Sequence, residues 1–434
     1  MNLRIRLSAA TPVNIVAYIC IILTFTPMMR QHYLPYLVGA FLLFFVLSLP
    51  KYIHCLSHNL VMQLASIYFL IEILYRIFGF SDAGIGNYAY RVMRLIVIWM
   101  FFYFVYYSDE TAKKNAFYAV LISLGVNLLY NITSWMNSAT SLELAYRYSD
   151  TTYWNVGRTD FQYCIAIMAL ILLSYWFTQS DFQCKKINKA VLWSLLILSG
   201  IYLIFYAQST TMLLTTLFAV GVIFIFRKQR TKSQIFVRFI LLLFFIIGAI
   251  LCFDRILQWL INVAEFLGRE KTVSRLIAMQ QISNTGFSPA GAETGSMARI
   301  EMIGIDIKCW TNSVFSFFFG RGYHFKDYGN IISSALNNFS GNHSTLFDIL
   351  ARYGLVGITV YVGIIRNIRI NLVNSAVSDR SKVFIIILWG YVLFNMIMND
   401  VGMHNIILLL VFLTDYLLTD KKSIDTIEAE EAGV

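Results

Sequence analysis

Charge is what this sequence most conspicuously lacks. Only 13% of its 434 residues are Asp, Glu, Lys or Arg, against 58% hydrophobic residues. A water-soluble domain carries about 25% charged residues. A chain this long would have too little polar surface to cover itself in water. Proline is scarce, at 5 residues, so few helices are broken from within. The 6 cysteines, at positions 20, 55, 164, 184, 252 and 309, show neither a Cys-x-x-Cys pair nor metal-ligand spacing. They are expected to be inert packing residues, which leaves no disulfide framework or zinc module. No internal repeat or low-complexity tract is present, and the acidic end Asp425–Glu431 reads as a solvated tail.

What the sequence has in quantity is long apolar runs and aromatics, the latter at 16%. Runs of roughly 16–20 apolar residues read as bilayer-spanning helices. They fall near 13–29, 33–49, 60–80, 92–107, 116–135, 161–177, 190–207, 211–226, 235–253, 345–365, 382–399 and 405–419. The expected fold class is therefore all-α, a polytopic membrane helix bundle of about twelve spans with one large extracytoplasmic loop. The start, with two arginines before the first run, reads as a first span and not as a cleaved signal peptide.

The formal net charge of +10 is distributed by topology. With the N-terminus inside, the short inner segments hold Arg4, Arg6, Lys51, Lys113, Lys114, Lys185, Lys186, Lys189, Arg227, Lys228, Arg230, Lys232, Arg366, Arg369, Arg380, Lys382, Lys421 and Lys422, which is 18. The short outer loops hold Arg30, Arg91, Arg94, Arg147 and Arg158, which is 5. The positive-inside rule then predicts both termini in the cytoplasm. Clusters between apolar runs do not form a phosphate-tracking groove, so no nucleic-acid partner is expected. The organisation follows: a transmembrane bundle over 1–253, an extracytoplasmic segment over 254–344, further spans over 345–420, and a cytoplasmic acidic tail over 421–434.

The outer segment holds the most chemistry. It has helical periodicity at Met302, Ile303, Ile307 and Trp310, and a loop-like centre from Ser283 to Ala292. Arg299 precedes Phe317-Phe-Phe-Gly-Arg-Gly-Tyr-His324, and then comes Gly341-Asn-His-Ser-Thr-Leu-Phe-Asp-Ile-Leu-Ala-Arg-Tyr-Gly-Leu-Val-Gly357, which opens a membrane helix. The glycines of Gly320-Arg-Gly322 suit a tight turn or a close backbone approach. No Asp/Glu/His cluster there has metal-ligand spacing, so neither metal nor cofactor is expected.

In these stretches the chain resembles the O-antigen polymerase and ligase superfamily. Arg299, Gly320–Gly322, His343 and Gly354/Gly357 match its pattern in order and approximate spacing. The sequence departs from that pattern at Ser344, where Asn is usual, and at Arg352, where an acid is common. It departs also at Ala207-Gln-Ser-Thr-Thr-Met212, where members often carry a Ser-Arg-Thr-like turn.

The resemblance implies a glycosyltransferase of the bacterial inner membrane that polymerises undecaprenyl-pyrophosphate-linked repeat units into O-antigen or capsular polysaccharide. It implies His343 and Arg299 as catalytic groups, and Arg321, Arg158, Tyr323 and Arg275 as pyrophosphate or substrate contacts. Arg158 is a substitute for the arginine missing near Thr210. The chemistry is consistent with those roles: arginine forks hold phosphate oxygens bidentately, and histidine takes a proton near neutral pH. Partners implied are the lipid bilayer, and in the cell a chain-length regulator and a flippase.

For His343 the plain alternative is a helix cap, together with Asn342, Ser344 and Thr345. Glu72 and Arg76, and likewise Asp348 and Arg352, stand four apart and read as structural ion pairs. Within the enzyme class a ligase to lipid A-core competes with a polymerase. A lipid-linked oligosaccharide flippase is the rival from the transporter class, but it would show paired repeats, and none is present.

Overall fold

A computed structural model describes residues 11–25, 34–78, 85–137, 159–181, 188–206, 210–227, 251–266, 295–321, 344–398 and 413–419, with isolated positions between 237 and 280. These residues are almost entirely helical. Ala376 and Thr419 form an isolated antiparallel bridge.

The helices, in chain order, are α1 (Pro12–Phe25), α2 (Leu34–His58), α3 (Leu60–Ile77), α4 (Ile85–Tyr107) and α5 (Glu110–Asn137). Then follow α6 (Thr159–Thr178), α7 (Lys189–Ile201, running into a π turn), α8 (Thr210–Phe226) and α9 (Phe253–Phe266). Next come α10 (Gly295–Thr311), α11 (Val314–Phe319), α12 (Thr345–Asn374) and α13 (Asp379–Met398), and residues 413–418 are again helical.

Among the described residues four stretches are long and apolar enough to cross a membrane: Val38–His58, Gln162–Asp181, Thr345–Asn374 and Asp379–Met398. Shorter apolar helices occupy Pro12–Thr24, Leu60–Tyr75, Leu95–Tyr107, Lys189–Ile204 and Met212–Phe226. Helices thus lie on the apolar runs read from the sequence. The exceptions are the runs at 235–253 and 405–419, which fall largely outside the described residues. The segment read as a large loop over 254–344 is partly helical, since it takes in α10, α11 and nearly all of α9.

One apolar core links α1 to α8, α12 and α13, and its fully buried aromatics include Trp99, Trp389, Tyr103, Tyr163, Tyr175 and Tyr202. The outward faces are apolar too. On α2, Leu42, Leu43, Val46 and Leu47 are all exposed. A continuous apolar exterior of that kind is stable against lipid and not against water. Buried hydroxyls inside the bundle donate back to the carbonyl one turn earlier: Ser48 to Phe44, Ser174 to Leu170, Ser199 to Leu195 and Thr216 to Met212. Each polar side chain is thereby satisfied within its own helix.

One end of the bundle is tied by a single arginine. Arg380, near the start of α13, binds Asp181 at the end of α6 with Nε at 3.3 Å, and forms an ion pair with the same carboxylate through Nη2. Its Nη1 donates to the Arg227 carbonyl beyond α8 at 3.0 Å, and Ser378 Oγ donates to Asp181 at 2.7 Å.

Candidate functional site: the junction of α10, α11 and the head of α12

The junction begins with a corner that the sequence encodes locally. Ser313 caps α11, accepting from Ser316 N at 3.0 Å, while Ser316 Oγ accepts from Ser313 N at 2.8 Å. That reciprocal pair is a capping box with serine in place of Glu. Trp310 stacks on Phe317 at 4.7 Å and its indole N–H donates to the Phe317 carbonyl at 2.8 Å. The end of α10 is thus fastened to α11.

α11 ends at Gly320, whose φ is +71° and whose N–H donates to the Ser316 carbonyl at 2.8 Å. A second positive φ, +62° with ψ −160°, occurs inside α12 at Gly354. The two glycines meet. A Cβ on Gly320 would stand 2.3 Å from the Arg352 carbonyl carbon, and one on Gly354 would stand 2.5 Å from Gly320 N and from Phe318 C and O. Only glycine permits both the dihedrals and the approach.

The break at Gly354 also frees the α12 backbone to bond outside its own helix. Arg321 N–H donates to the Ala351 carbonyl at 2.9 Å. A regular helix interior has no such carbonyl to offer.

α3 supports this crossing from the bundle side. Tyr68, Glu72 and Tyr75 share one helical face. Tyr353 of α12 meets the rings of Tyr68 and Tyr75 edge-on at 5.7 and 5.2 Å, and its hydroxyl donates to Glu72 Oε1 at 3.2 Å. The Tyr75 hydroxyl donates to the Phe319 carbonyl at the end of α11. Glu72, 2% exposed, is therefore held by a tyrosine of another helix. The side chain of Arg76, the partner expected from spacing, lies outside the described residues.

The charges of the junction sit where α10 crosses the head of α12. Asp348 and Arg352 form the expected four-apart ion pair, at 3.8 Å. Asp306 of α10 faces this pair, and the Asp306 and Asp348 carboxyls are both buried, at 4% and 3% exposure. Burial pushes the Asp306 carboxyl up to about 6, against the opposing pull of its neighbours Asp348 and Arg352. Burial likewise pushes the neighbouring Cys309 thiol up to about 11; the Arg321 charge lowers it and the Asp306 charge raises it. Cys309 is a protonated, unreactive thiol at neutral pH.

At the start of α12 the helix cap is Ser344, whose Oγ accepts from Phe347 N at 3.3 Å and lies 3.3 Å from the Met396 carbonyl of α13. The cap role considered for His343 is thus filled by the residue after it. Nearby on α13, Asn395 and Tyr391 reach Thr215 and Thr216 of α8, at 3.5 and 3.0 Å. α13 thus touches both the cap of α12 and α8, which begins at Thr210.

Of the residues read from the sequence, Arg321 is placed, half-buried, in the junction. Arg299 lies on α10, seven residues before Asp306, with its side chain outside the described residues. His343, Arg158, Tyr323 and Arg275 lie outside the described residues altogether. The elements bearing Arg299, Arg321 and the residue after His343 do come together, because α10 and α11 both pack on α12.

Asp306 and Tyr353 carry interactions that sequence reading passed over. Asp306 interrupts the apolar positions of α10, and an acid there was the available signal. Among the described residues, no group of three or more His, Cys, Asp or Glu is arranged to hold a metal ion. Cys20, Cys55, Cys164 and Cys309 are buried as expected of packing residues, whereas Cys252 is exposed.

Residues 193–362 match the protein-family model described as O-antigen ligase. The match runs from α7 into α12 and takes in α10, α11 and both glycines of the crossing. Comparison with curated proteins gives no match.

Proposed function

We propose, from the premise that this chain belongs to the O-antigen polymerase and ligase superfamily, that it polymerises undecaprenyl-pyrophosphate-linked oligosaccharide repeat units into O-antigen or capsular polysaccharide. It acts in this reading on the outer face of the bacterial inner membrane, with both termini in the cytoplasm. The observation that carries it is the crossing of Gly320 and Gly354. Those glycines hold Arg321 against the head of α12, one residue after the α11 turn and beside the segment that follows His343.

The chemistry is a substitution at the anomeric carbon of the donor glycan. The bond from that carbon to the pyrophosphate oxygen breaks, and the pyrophosphate departs with the electron pair. The acceptor hydroxyl oxygen forms the new bond, and its proton passes to His343. Arg299 and Arg321, with Arg158, Arg275 and Tyr323 in support, meet the charge on the leaving group without a metal. Planar guanidinium forks suit that task, and loss of one well-placed donor costs about 10²–10³ in rate.

Purified protein supplied with lipid-linked repeat units alone tests the reading. Chain extension is expected from the wild type, with weak or no extension from Arg299→Lys and none from Arg299→Ala. Full extension by Arg299→Ala would defeat it. The description of the matched family favours a second reading, transfer of finished glycan to lipid A-core. Product formed only when lipid A-core is added would establish that one instead. A flippase would move the lipid-linked unit and form no glycosidic bond.

A further inference from the structure

Glu72 is an acid that an apolar helix holds out of water. It lies on α3, over Leu60–Ile77, and is almost fully buried. An acid inside a membrane bundle is strongly disfavoured, and an apolar side chain of similar volume packs there without that penalty. What Glu72 does in the structure is accept a hydrogen bond. The Tyr353 hydroxyl of α12 donates to its Oε1 at 3.2 Å, across 281 positions of chain.

The ring of Tyr353 is set for that bond. Tyr68 and Tyr75 meet it edge-on from α3, and Gly357 leaves room for it on α12. A Cβ on Gly357 would stand 2.1 Å from Tyr353 Cβ and 3.2 Å from its Cγ. The last glycine of the sequence motif is thus fitted to this tyrosine.

Tyr353 stands two residues after Ala351, whose carbonyl accepts from the Arg321 N–H at 2.9 Å, and one residue before the break at Gly354. Tyr75 adds a second strut, since its hydroxyl donates to the Phe319 carbonyl beside Gly320. α3 therefore grips both segments that meet at Arg321: the end of α11 and the head of α12.

We propose that Glu72 and Tyr353 form a latch that positions Arg321: Glu72 is the fixed post by which α3 holds the head of α12 where the Ala351 carbonyl meets the Arg321 N–H. This rests on the function proposed above, in which the Arg321 guanidinium meets the leaving pyrophosphate. Glu72 and Tyr353 are both buried, so they act through Arg321 and not on substrate. Glu72 serves as an acceptor and neither gives nor takes a proton in the reaction.

Two variants separate a latch from a reacting group. Tyr353→Phe keeps the ring and removes the hydroxyl. Glu72→Gln keeps an acceptor oxygen but cannot exchange a proton.

Hydrogen exchange at the Arg321 amide, resolved by electron-transfer fragmentation of protein labelled in detergent, follows the latch without any need for activity. Tyr353→Phe is expected to speed that exchange about tenfold, as the loss of one buried hydrogen bond does, while amides in the middle of α13 keep wild-type rates. Glu72→Gln is expected to stay within about threefold of the wild type, because its bond to Tyr353 persists. Glu72→Leu, which removes the acceptor, is followed in the same way if Tyr353→Phe does not fold. An unchanged Arg321 amide, or equal acceleration throughout the protein, overturns the latch.

Chain extension per folded molecule then follows its consequence. Tyr353→Phe is expected to lower kcat about tenfold or more with the KM for lipid-linked donor within about twofold, since a displaced guanidinium is missed most as charge develops on the leaving group. Added to Arg321→Ala, the same substitution is expected to cause no further loss. An additional loss of about tenfold in that background, or abolition of activity by Glu72→Gln, overturns the positioning role. A wild type that forms no glycosidic bond counts against the proposed function, and exchange at the Arg321 amide still decides the latch.

Discussion

Adding one methyl group at Gly354 tests the architecture of the junction most directly. Gly354→Ala places a Cβ 2.5 Å from three backbone atoms of α11 and its turn, and it does so at a φ of +62° and ψ of −160°. The dihedral strain of a non-glycine residue there is about 1–3 kcal/mol. Overpacking against backbone, which cannot swing aside as a flexible side chain does, adds about 1–3 kcal/mol. Together they amount to about 2–6 kcal/mol, more than the Arg321–Ala351 hydrogen bond at about 1 kcal/mol can resist. The strain is therefore expected to lift the α11 turn off α12.

Gly390→Ala on α13 is the matched control, since a Cβ there meets nothing within 4 Å. Heating both variants in detergent and following the folded fraction by size exclusion gives the comparison. Gly354→Ala should lose stability and glycan transfer, while Gly390→Ala should keep both. Equal stability of the two, within about 0.5 kcal/mol, would refute the crossing as the element that holds the junction.

Arg380→Ala should destabilise the bundle by about 1–3 kcal/mol, because the half-buried Asp181 then loses its cation; Arg380→Lys should recover part of that in the same heating assay. His343→Ala should abolish chain extension at normal protein level, and His343→Asn should also fail, because Ser344 already supplies the cap. Ser344→Ala should instead cost about 0.5–2 kcal/mol of stability and leave measurable activity, and full activity from His343→Asn in cells would remove histidine from the chemistry. The pH dependence of stability carries its own sign. The folded state raises Asp306 from 3.8 to about 6, so it binds the proton more tightly than the unfolded chain does. The contribution is complete below about pH 4, falls as pH rises to about 6 and is then constant. Unfolding at fixed denaturant should show that decline in the wild type and a flatter profile in Asp306→Asn.

The apolar runs located the helices well because burial in lipid imposes length and composition on each segment separately. The motif glycines were also legible, as a turn or a close approach. What they approach was not, since Gly320 and Gly354 meet across 34 positions of chain and neither stretch names the other. Asp306 escaped notice for a related reason. Periodicity on α10 pointed to Ile307, yet Ile307 is exposed and Asp306 and Cys309 are buried, because the partner helix chooses the buried face. Glu72 was matched to Arg76 by spacing along one helix, while its visible hydrogen bond comes from Tyr353, 281 positions away. Spacing rules report neighbours on one helix and are silent about the next. His343 drew attention through its motif, and of the cap candidates read beside it Ser344 is the one that caps α12.

The break in α12 has a mechanical consequence. Thirty residues of continuous helix would reach about 45 Å, well beyond the roughly 30 Å hydrocarbon layer. Divided at Gly354, the shaft over 355–374 matches that layer, and the nine residues before it form a separate head. Such a shaft tilts as the bilayer thickens or thins, by different amounts in different lipid surroundings. The head is fastened elsewhere: to α11 through Arg321, to α3 through Tyr353 and to α13 through Ser344. Gly354 therefore works as a flexible coupling, letting the shaft lean with the lipid while the arginine and the first turn of α12 keep their alignment.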